Sequence, residues 1–140
     1  MQDRDVPRLR QVVLDTTDAR SLAEFYRQLL GLAYRPGDEA PPAGEDDPNG
    51  RDWLVLRGGD EVSVAFQQVA VLPPATWPEG QHPQMLHLDL TVPDAETLTR
   101  QRARATELGA RLLWDRFDDP DEPLYVFADP AGHPFCIFVA

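Results

Sequence analysis

The two halves of this 140-residue chain carry the same pattern of residues. An offset of 76 positions aligns Gln11 with His87, Leu14 with Leu90, Asp18 with Asp94, Ala19 with Ala95 and Leu22 with Leu98. Each half reads as a strand, a helix that ends at a glycine, and three further strands. A βαβββ unit of this size buries little apolar surface by itself. We therefore expect the two units to pair, with their sheets curled into one cup and the helices outside.

Residues 86–94 show the repeated unit most clearly, with the sequence Leu-His-Leu-Asp-Leu-Thr-Val-Pro-Asp. The alternation predicts a strand that has its apolar residues on one face and His87, Asp89 and Thr91 on the other. Asp94 is typical of a helix N-cap, and a helix is predicted from it to residue 108. The matching segment of the first half predicts a strand over 9–16 and a helix from Asp18 to about residue 30.

The remaining segments complete an α+β fold. Strands are predicted over 32–35, 53–57, 62–69, 110–114, 124–128 and 134–139. Residues 37–50 are rich in Pro, Gly, Asp and Glu, which indicates a solvated, mobile loop and a candidate lid. We predict a single domain over 8–140, in which module one spans 8–70 and module two spans 84–140. The connection 71–83 is expected to pack back on the fold.

Composition narrows the class of function. The chain has 13 basic and 24 acidic residues and a net charge of −11, which disfavours nucleic acid and anionic membranes as partners. No run of about 18 apolar residues is present, so we expect no membrane span. The N-terminus lacks an apolar signal segment, and the lone Cys136 has no partner for an internal disulfide. Both features favour a cytoplasmic protein.

Strand parity selects the side chains that face the concave side of the cup. Gln11 comes from the first strand, Ser63 from the fourth, His87 from the fifth and Cys136 from the last. Aligning the turn glycines of the two halves pairs Ser63 with Cys136. These four residues are therefore predicted to occupy the symmetry-related positions of one site.

Several other residues have two interpretations. Trp53, Trp77 and Trp114 are candidates for stacking on a flat ligand, although packing in the core or an interface is the commoner role for each. The histidines at 82 and 133 lie in loop and turn contexts, where they are expected to be solvated.

The ordered motifs of this chain resemble the vicinal oxygen chelate superfamily, which includes glyoxalase, bleomycin resistance and extradiol dioxygenase proteins. The closer resemblance is to actinobacterial glyoxalase-like members, over about residues 8–140. It is carried by Gln-Val-Val-Leu-Asp at 11–15, the strand and cap at 85–94, Leu-Gly-Ala at 108–110 and Asp-Pro-Ala-Gly-His-Pro-Phe-Cys at 129–136. In metal-dependent members of the superfamily, paired modules supply four ligands to a metal that binds two neighbouring substrate oxygens.

The resemblance implies a degenerate metal site in this chain. His87 and Gln11 match ligand positions, but Cys136 stands where glutamate is typical and Ser63 is a poor ligand. We therefore expect no cofactor. If a divalent zinc, nickel or iron ion is bound, its ligands are His87, Gln11 and Cys136. The alternative roles are structural: His87 bonded to Asp89, Cys136 as a small buried apolar residue, and Gln11 as a hydrogen-bonding group.

Three functions follow from these features. The first is a glyoxalase-like protein that binds or sequesters a small organic ligand in the cup, with Gln11, Trp53, Ser63, Trp77, His87 and Cys136 as ligand-binding residues. The second is a metal-dependent lyase, isomerase or dioxygenase acting on a substrate with vicinal oxygens. The third is a metal-free enzyme in which Asp89, paired with His87, acts as a general base when the cavity desolvates it. The family resemblance and the short sheet edges also imply a homodimer.

Overall fold

The computed structural model of the chain describes residues 5–59, 63–76 and 79–140. Its elements, in chain order, are β1 (Gln11–Thr16), α1 (Ala19–Leu30), β2 (Ala33–Tyr34), a 3₁₀ turn (Asn49–Arg51), β3 (Trp53–Arg57), β4 (Ser63–Gln68), β5 (Leu88–Val92), α2 (Ala95–Leu108), β6 (Arg111–Arg116), β7 (Leu124–Ala128) and β8 (Pro134–Val139). Among the described residues, the predicted strands and helices differ from these bounds by no more than two residues at either end. Residue 62, where one strand was predicted to begin, lies outside the described residues.

Each half of the chain forms a four-stranded mixed sheet. The strand orders are β1-β4-β3-β2 and β5-β8-β7-β6. In both sheets the first strand runs parallel to the last one, and the other pairs are antiparallel. The predicted α+β fold, with two βαβββ modules and a curled mixed sheet, is confirmed.

Local sequence determines where the helices begin and end. The Asp18 carboxylate accepts a hydrogen bond from the Ser21 backbone amide at 3.1 Å, and Asp94 accepts one from Thr97 at 2.8 Å. Both are the predicted N-caps, which satisfy amides that have no partner inside the helix. Gly31 ends α1 with a φ of 68°, a left-handed conformation that glycine adopts without a steric penalty.

The two modules share one apolar core, and α1 lies within it. The Tyr26 ring stacks on Phe66 of β4, with ring centroids 5.9 Å apart, and meets Phe135 of β8 edge-on at 6.2 Å. Phe25 also contacts Phe135, at 5.9 Å. A helix of module one therefore packs against the sheets of both modules, which sets their relative position.

Polar contacts reinforce this junction. The Arg104 guanidinium of α2 donates to the backbone carbonyl oxygens of Gln28 and Leu29 at the end of α1. Near the cup, Nε2 of His133 lies 2.6 Å from the backbone oxygen of Asp15 on β1. The modules are thus joined at both the helix layer and the sheet layer.

Segment 37–50 is mostly exposed, as its composition predicts, and several polar contacts also hold parts of it against the fold. Arg20 of α1 forms an ion pair of 2.8 Å with Asp47 and donates to the backbone oxygen of Asp38 at 2.7 Å. The Asp38 side chain is buried and accepts from the Val55 amide at 3.0 Å. These bonds fasten the segment to α1 and β3, because buried polar groups require partners.

No helix in the described part of the chain is both long and apolar enough to cross a bilayer.

Candidate functional site

The main cavity of the structure has a volume of about 360 Å³. Val13 and Asp15 of β1 and Gln67 of β4 form one wall of this main cavity. Residues 82–86, which join the connection to β5, form a second wall, and residues 131–134 of the β7–β8 turn form a third. Leu72, Pro73 and Ala75 of the connection also line it, as expected for a segment that packs back on the fold. The cavity therefore lies where the two modules and their connection meet.

Two unpaired polar side chains line the main cavity, and a buried side-chain oxygen without a partner lies in its wall, as far as the described residues show. Asp15 and Gln67 are register partners on the concave face, and neither side chain has a hydrogen bond or ion pair with another described residue. The side-chain oxygen of Gln84, Oε1, is fully buried and accepts no hydrogen bond. Unpaired polar groups in an otherwise apolar cavity are typical of ligand-binding sites, where they orient the ligand.

A smaller adjoining cavity, of about 70 Å³, lies on the other side of Gln84 and Pro134. These two residues line both cavities, and His87, Val126 and Cys136 complete the smaller one. The predicted residues of module two are therefore separated from the main cavity by a wall that includes Gln84.

His87, Asp89 and Cys136 form a cluster of three different donor types. Their ligand atoms all lie within 4.8 Å of one another, and His87 Nε2 is 3.2 Å from an Asp89 oxygen. Imidazole, carboxylate and thiolate are all zinc ligands, so the donor set suits zinc by type. The pairing of His87 with Asp89 is also the structural role predicted as an alternative to metal binding.

The Cys136 thiol is held in its neutral form. Burial, together with the carboxylates of Asp89 and Glu122, raises the pKa of this thiol from 9.0 to about 11. The thiolate is the form that binds metals and reacts with electrophiles. A metal ion would therefore have to supply the charge that removes this proton.

Sheet register pairs only two of the four predicted positions with each other. Gln11 lies opposite Ser63 on β1 and β4, as expected from parity. In module two, Cys136 lies opposite Asp89 on β5 and β8. The residue opposite Cys136 in the sheet is therefore Asp89, whose carboxylate was predicted from the sequence to be the general base.

The predicted symmetry equivalence of Ser63 and Cys136 is wrong. Extending the β5–β8 register by one position places Pro134 opposite His87. Because Gln11 corresponds to His87, Pro134 is the counterpart of Ser63. Aligning the two turn glycines misplaces the last strand by two residues, since the glycine-to-strand spacing differs between the modules. Strand register, which is decided by pairing across the sheet, overrides that alignment.

The aromatic residues predicted to bind a ligand are dispersed. Trp53 begins β3, where its register partner is Gln67 of the main cavity wall, and it is half-buried. Trp77 lies outside the described residues. Trp114 is 44% exposed and lies in a separate surface groove, with the Arg116 guanidinium 4.8 Å from its ring centroid.

Sequence reasoning missed most of the main cavity. Asp15 and Gln67 could have been found from the sequence. Each lies four positions after a predicted site residue, Gln11 or Ser63, and therefore on the same face of its strand. His82 is exposed, as expected, and His133 is half-buried; both line the main cavity. Gln84 precedes β5 and belongs to no periodic segment, so no sequence pattern marks it. None of the described residues that line the main cavity comes from segment 37–50, which gives no support to a lid there.

Residues 11–138 match a protein family described as the glyoxalase-like domain. This match spans nearly the whole chain. The chain belongs to the glyoxalase-like family. No curated protein matches the sequence of this chain.

Several solved structures have the same fold as this chain. A glyoxalase/dioxygenase from Nostoc punctiforme has a TM-score of 0.69 and 19% identity, covering 99% of this glyoxalase-like chain and 94% of its own. A glyoxalase/bleomycin resistance protein/dioxygenase family enzyme from Burkholderia phytofirmans has a TM-score of 0.66 and 18% identity, with 95% and 98% covered. The fosfomycin resistance protein FosX from Mesorhizobium loti has a TM-score of 0.62 and 15% identity, with 96% and 93% covered. At these identities the likeness shows the fold.

Proposed function

We propose that this glyoxalase-like protein binds a small organic molecule in the main cavity. The observation that carries the proposal is a cavity of about 360 Å³ in which the side chains of Asp15 and Gln67 have no described protein partner. Ligand sites in proteins are concave, mostly apolar and furnished with a few polar groups, with volumes of about 300–1,000 Å³. Binding or sequestration, in the manner of a resistance protein, needs no further chemistry.

The site residues predicted from the sequence are also included in this proposal. His87 and Cys136 border the adjoining cavity and lie close enough to act on a ligand that extends past Gln84. Gln11 and Ser63 are proposed to contact the ligand from the opposite end of β1 and β4, and Trp53 and Trp77 to cover it. Asp89 is the candidate general base, through its pairing with His87.

The alternative is a metal-dependent lyase, isomerase or dioxygenase that acts on vicinal oxygens. One observation favours it, which is the convergence of His87, Asp89 and Cys136 within 4.8 Å. Zinc, nickel or iron bound there would act as a Lewis acid on substrate oxygens. Gln11 was predicted as a further ligand, whereas the structure adds Asp89 to the cluster. We favour ligand binding without a metal because the main cavity offers a volume of about 360 Å³ and unpaired polar side chains.

Ligand binding is tested with a library of aromatic and aliphatic compounds, monitored by melting temperature and tryptophan fluorescence. Val13→Trp is designed to fill the main cavity, where the native side chain is 37% exposed. Leu113→Trp on β6 is the matched control, because Leu113 has a similar exposure of 38% and lies outside the cavity. We expect binding to be lost in Val13→Trp alone. A library in which no compound shifts the melting temperature or the emission would contradict the proposal.

The metal-dependent alternative is tested by elemental analysis of protein purified without chelators. Ligand binding without a metal predicts substoichiometric zinc, nickel and iron. A stoichiometric metal that is lost in His87→Ala and retained in His82→Ala would replace this proposal with the enzymatic one. His82 is a suitable control because it lines the main cavity and is not part of the cluster.

We further propose that the protein is a cytoplasmic homodimer. Met85 and Leu86 are 95% and 47% exposed at the rim of the main cavity, where a second copy would cover them. Light scattering after size exclusion tests this, with Met85→Glu expected to give monomers and Leu113→Glu expected to leave the dimer intact. A monomeric parent protein would refute the dimer. The closer resemblance to actinobacterial members stays a prediction from sequence.

A further inference from the structure

We infer that the side chain of Gln84 is a movable partition, and that its displacement joins the main cavity and the adjoining cavity into one site. This inference rests on the proposed ligand-binding function and specifies how a ligand of the main cavity reaches His87 and Cys136. It depends on the position of Gln84 between the two cavities, on the missing hydrogen bond of its oxygen and on the few constraints on its segment.

Gln84 lies between the two cavities. It lines both the main cavity, of about 360 Å³, and the adjoining cavity, of about 70 Å³. Among the described residues, Pro134 is the other member common to both linings. On the far side of these two residues, the adjoining cavity is bordered by His87, Val126 and Cys136. The position of this wall therefore decides whether the three residues share a cavity with the ligand.

Pro134 is the fixed part of the wall. It is buried and begins β8, where its register partner is Ala128 of β7. The pyrrolidine ring of a proline has no freely rotating side-chain bond. A buried residue in a close-packed sheet also moves only if its neighbours move. An opening between the two cavities therefore depends on Gln84.

Few contacts constrain Gln84. It belongs to none of the helices or strands and lies between Pro83 and Met85, which are both exposed. No hydrogen bond joins its backbone to another described residue. A glutamine side chain exchanges between staggered rotamers about its single bonds. Rotation of this side chain therefore disrupts no regular secondary structure.

The closed position is unfavourable for the Gln84 oxygen. Oε1 is fully buried and accepts no hydrogen bond from any described residue, and an atom without accessible surface is not reached by water. A buried acceptor that has no partner retains the cost of its lost hydration. Any rotamer that brings the oxygen to water removes this cost. The unpaired oxygen therefore lowers the free energy needed to open the partition.

An open partition brings the two parts of the candidate site together. His87 and Cys136 then border the space that the ligand occupies, and Asp89 accompanies them through its 3.2 Å pairing with His87. A compound that fits the main cavity alone leaves Gln84 in place, whereas a longer compound requires it to turn away. Gln84 thus determines how long a ligand must be to reach the cluster.

Reaction of Cys136 with benzyl and methyl methanethiosulfonate tests the partition without a known ligand. Mass spectrometry gives the rate of each reagent, and the benzyl rate is divided by the methyl rate. Both reagents react with the thiolate, so the ratio is independent of the thiol pKa. In the folded parent protein we expect a ratio about tenfold lower than in guanidinium chloride, because the adjoining cavity excludes the larger reagent while Gln84 closes it.

Two variants of Gln84 should move this ratio in opposite directions. Gln84→Ala removes the partition and is expected to raise the ratio about tenfold, to the value in guanidinium chloride. Gln84→Met keeps the length of the side chain and removes the unpaired oxygen, so the closed position is stabilised and the ratio should fall about fivefold. Gln81→Ala is the matched control, since Gln81 belongs to the same segment and lines neither cavity.

The inference and the function on which it rests fail in different experiments. A parent ratio equal to that in guanidinium chloride would overturn the partition, because the larger reagent would then reach Cys136 without moving Gln84. A Gln84→Met ratio no lower than that of the parent would also overturn it. So would equal ratios in a folded Gln84→Ala and the parent. A compound library without any binder refutes ligand binding and does not enter these comparisons.

Circular dichroism establishes that the variants are folded. If Gln84→Ala loses its structure, the parent and Gln84→Met still test the same wall, since Gln84→Met fills the space of the native side chain. A ratio that falls in Gln84→Met and is unchanged in Gln81→Ala then supports the partition.

Discussion

The Tyr26 hydroxyl donates a hydrogen bond of 2.6 Å to the Asp129 carboxylate, across 103 residues of sequence. Tyr26 lies on α1 of module one, and Asp129 begins the β7–β8 turn of module two. Asp129 is 4% exposed, and its other carboxylate oxygen accepts from the backbone amides of Ala131 and His133. One buried carboxylate thus shapes the turn that lines the main cavity and ties it to the helix of the other module.

Removing the tyrosine hydroxyl is expected to destabilise the protein. Tyr26→Phe leaves a buried carboxylate with one donor fewer, which typically costs about 1–3 kcal/mol in the free energy of unfolding. Urea denaturation measures this loss. Tyr34→Phe is the matched control, since the half-buried Tyr34 hydroxyl donates to Glu24 at 2.9 Å near solvent and should contribute less. Equal losses in the two variants would show that the Tyr26–Asp129 bond has no special role.

The pH dependence of stability reports on the same carboxylate. Burial raises the pKa of Asp129 above its ordinary value, and this effect outweighs its hydrogen-bond donors. A carboxyl with a raised folded-state pKa contributes stability that is complete below its unfolded pKa and is lost as the pH rises through the folded pKa. The parent protein should therefore lose stability relative to Asp129→Asn as the pH increases from about 4 towards neutrality.

Asp119 is a control for the pH measurement, because its pKa is shifted in the direction opposite to that of Asp129. The backbone amides of Glu122 and Asp121 lower the pKa of the Asp119 carboxyl. Its contribution to stability is present above the unfolded pKa and is lost on acidification. The parent protein should lose stability relative to Asp119→Asn only on acidification below about pH 4. Parallel pH profiles for the parent and Asp129→Asn would contradict the assignment of a raised pKa to Asp129.

Arg20 is expected to control the order of segment 37–50. Its ion pair with Asp47 is shielded, with side-chain exposures of 16% and 23%, and Asp47 in turn accepts from the Gly50 amide at 3.0 Å. In Arg20→Gln, amide exchange at Gly50 should accelerate by roughly tenfold, as expected for the loss of charge-assisted hydrogen bonds. Arg51→Gln removes an exposed ion pair and should have little effect.

Ligand affinity is a second test of the role of segment 37–50. Because none of the described residues lining the main cavity comes from 37–50, Arg20→Gln should leave affinity for the best library compound unchanged. A marked loss of affinity, without a fall in the overall stability of the variant, would restore the lid interpretation of this segment.

Cys136 is expected to react slowly with electrophiles. A pKa of about 11, against an ordinary value of 9.0, reduces the thiolate fraction at pH 8 by roughly 100-fold. Alkylation by iodoacetamide, followed by mass spectrometry, should be slower by that order in the folded protein than in guanidinium chloride. As the only cysteine of the chain, it needs no variant to assign the signal. Comparable rates in the two states would show that the thiol is exposed and readily ionised.

Local features of the sequence were sufficient for the elements and their order. Asp18 and Asp94 cap the two helices because their side chains reach amides three residues away, an interaction that needs no distant partner. Alternation along 86–94 assigned the strand and the face of Asp89 in the same way. The repeat at an offset of 76 then implied two paired modules, since neither could bury a sufficient core alone.

Tertiary structure decided the site. Pairing across the sheet placed Cys136 opposite Asp89 and Phe135 opposite Leu88, and a two-residue difference in strand spacing was enough to break the equivalence inferred from the turn glycines. Arg20 contacts Asp38 and Asp47 in the otherwise exposed segment 37–50, and these contacts lie beyond any local pattern.

Sequence by itself thus determined the helices, the strands, the modules and the family, because each depends on contacts within a few residues or on repetition along the chain. The main cavity depends on three distant segments, contributed by β1 and β4, by the residues before β5 and by the β7–β8 turn. The buried, unpaired oxygen of Gln84, a residue that lines both cavities, is likewise a feature of the folded chain alone. Burial and the absence of a hydrogen bond are properties of the packed chain, and no residue pattern encodes them locally.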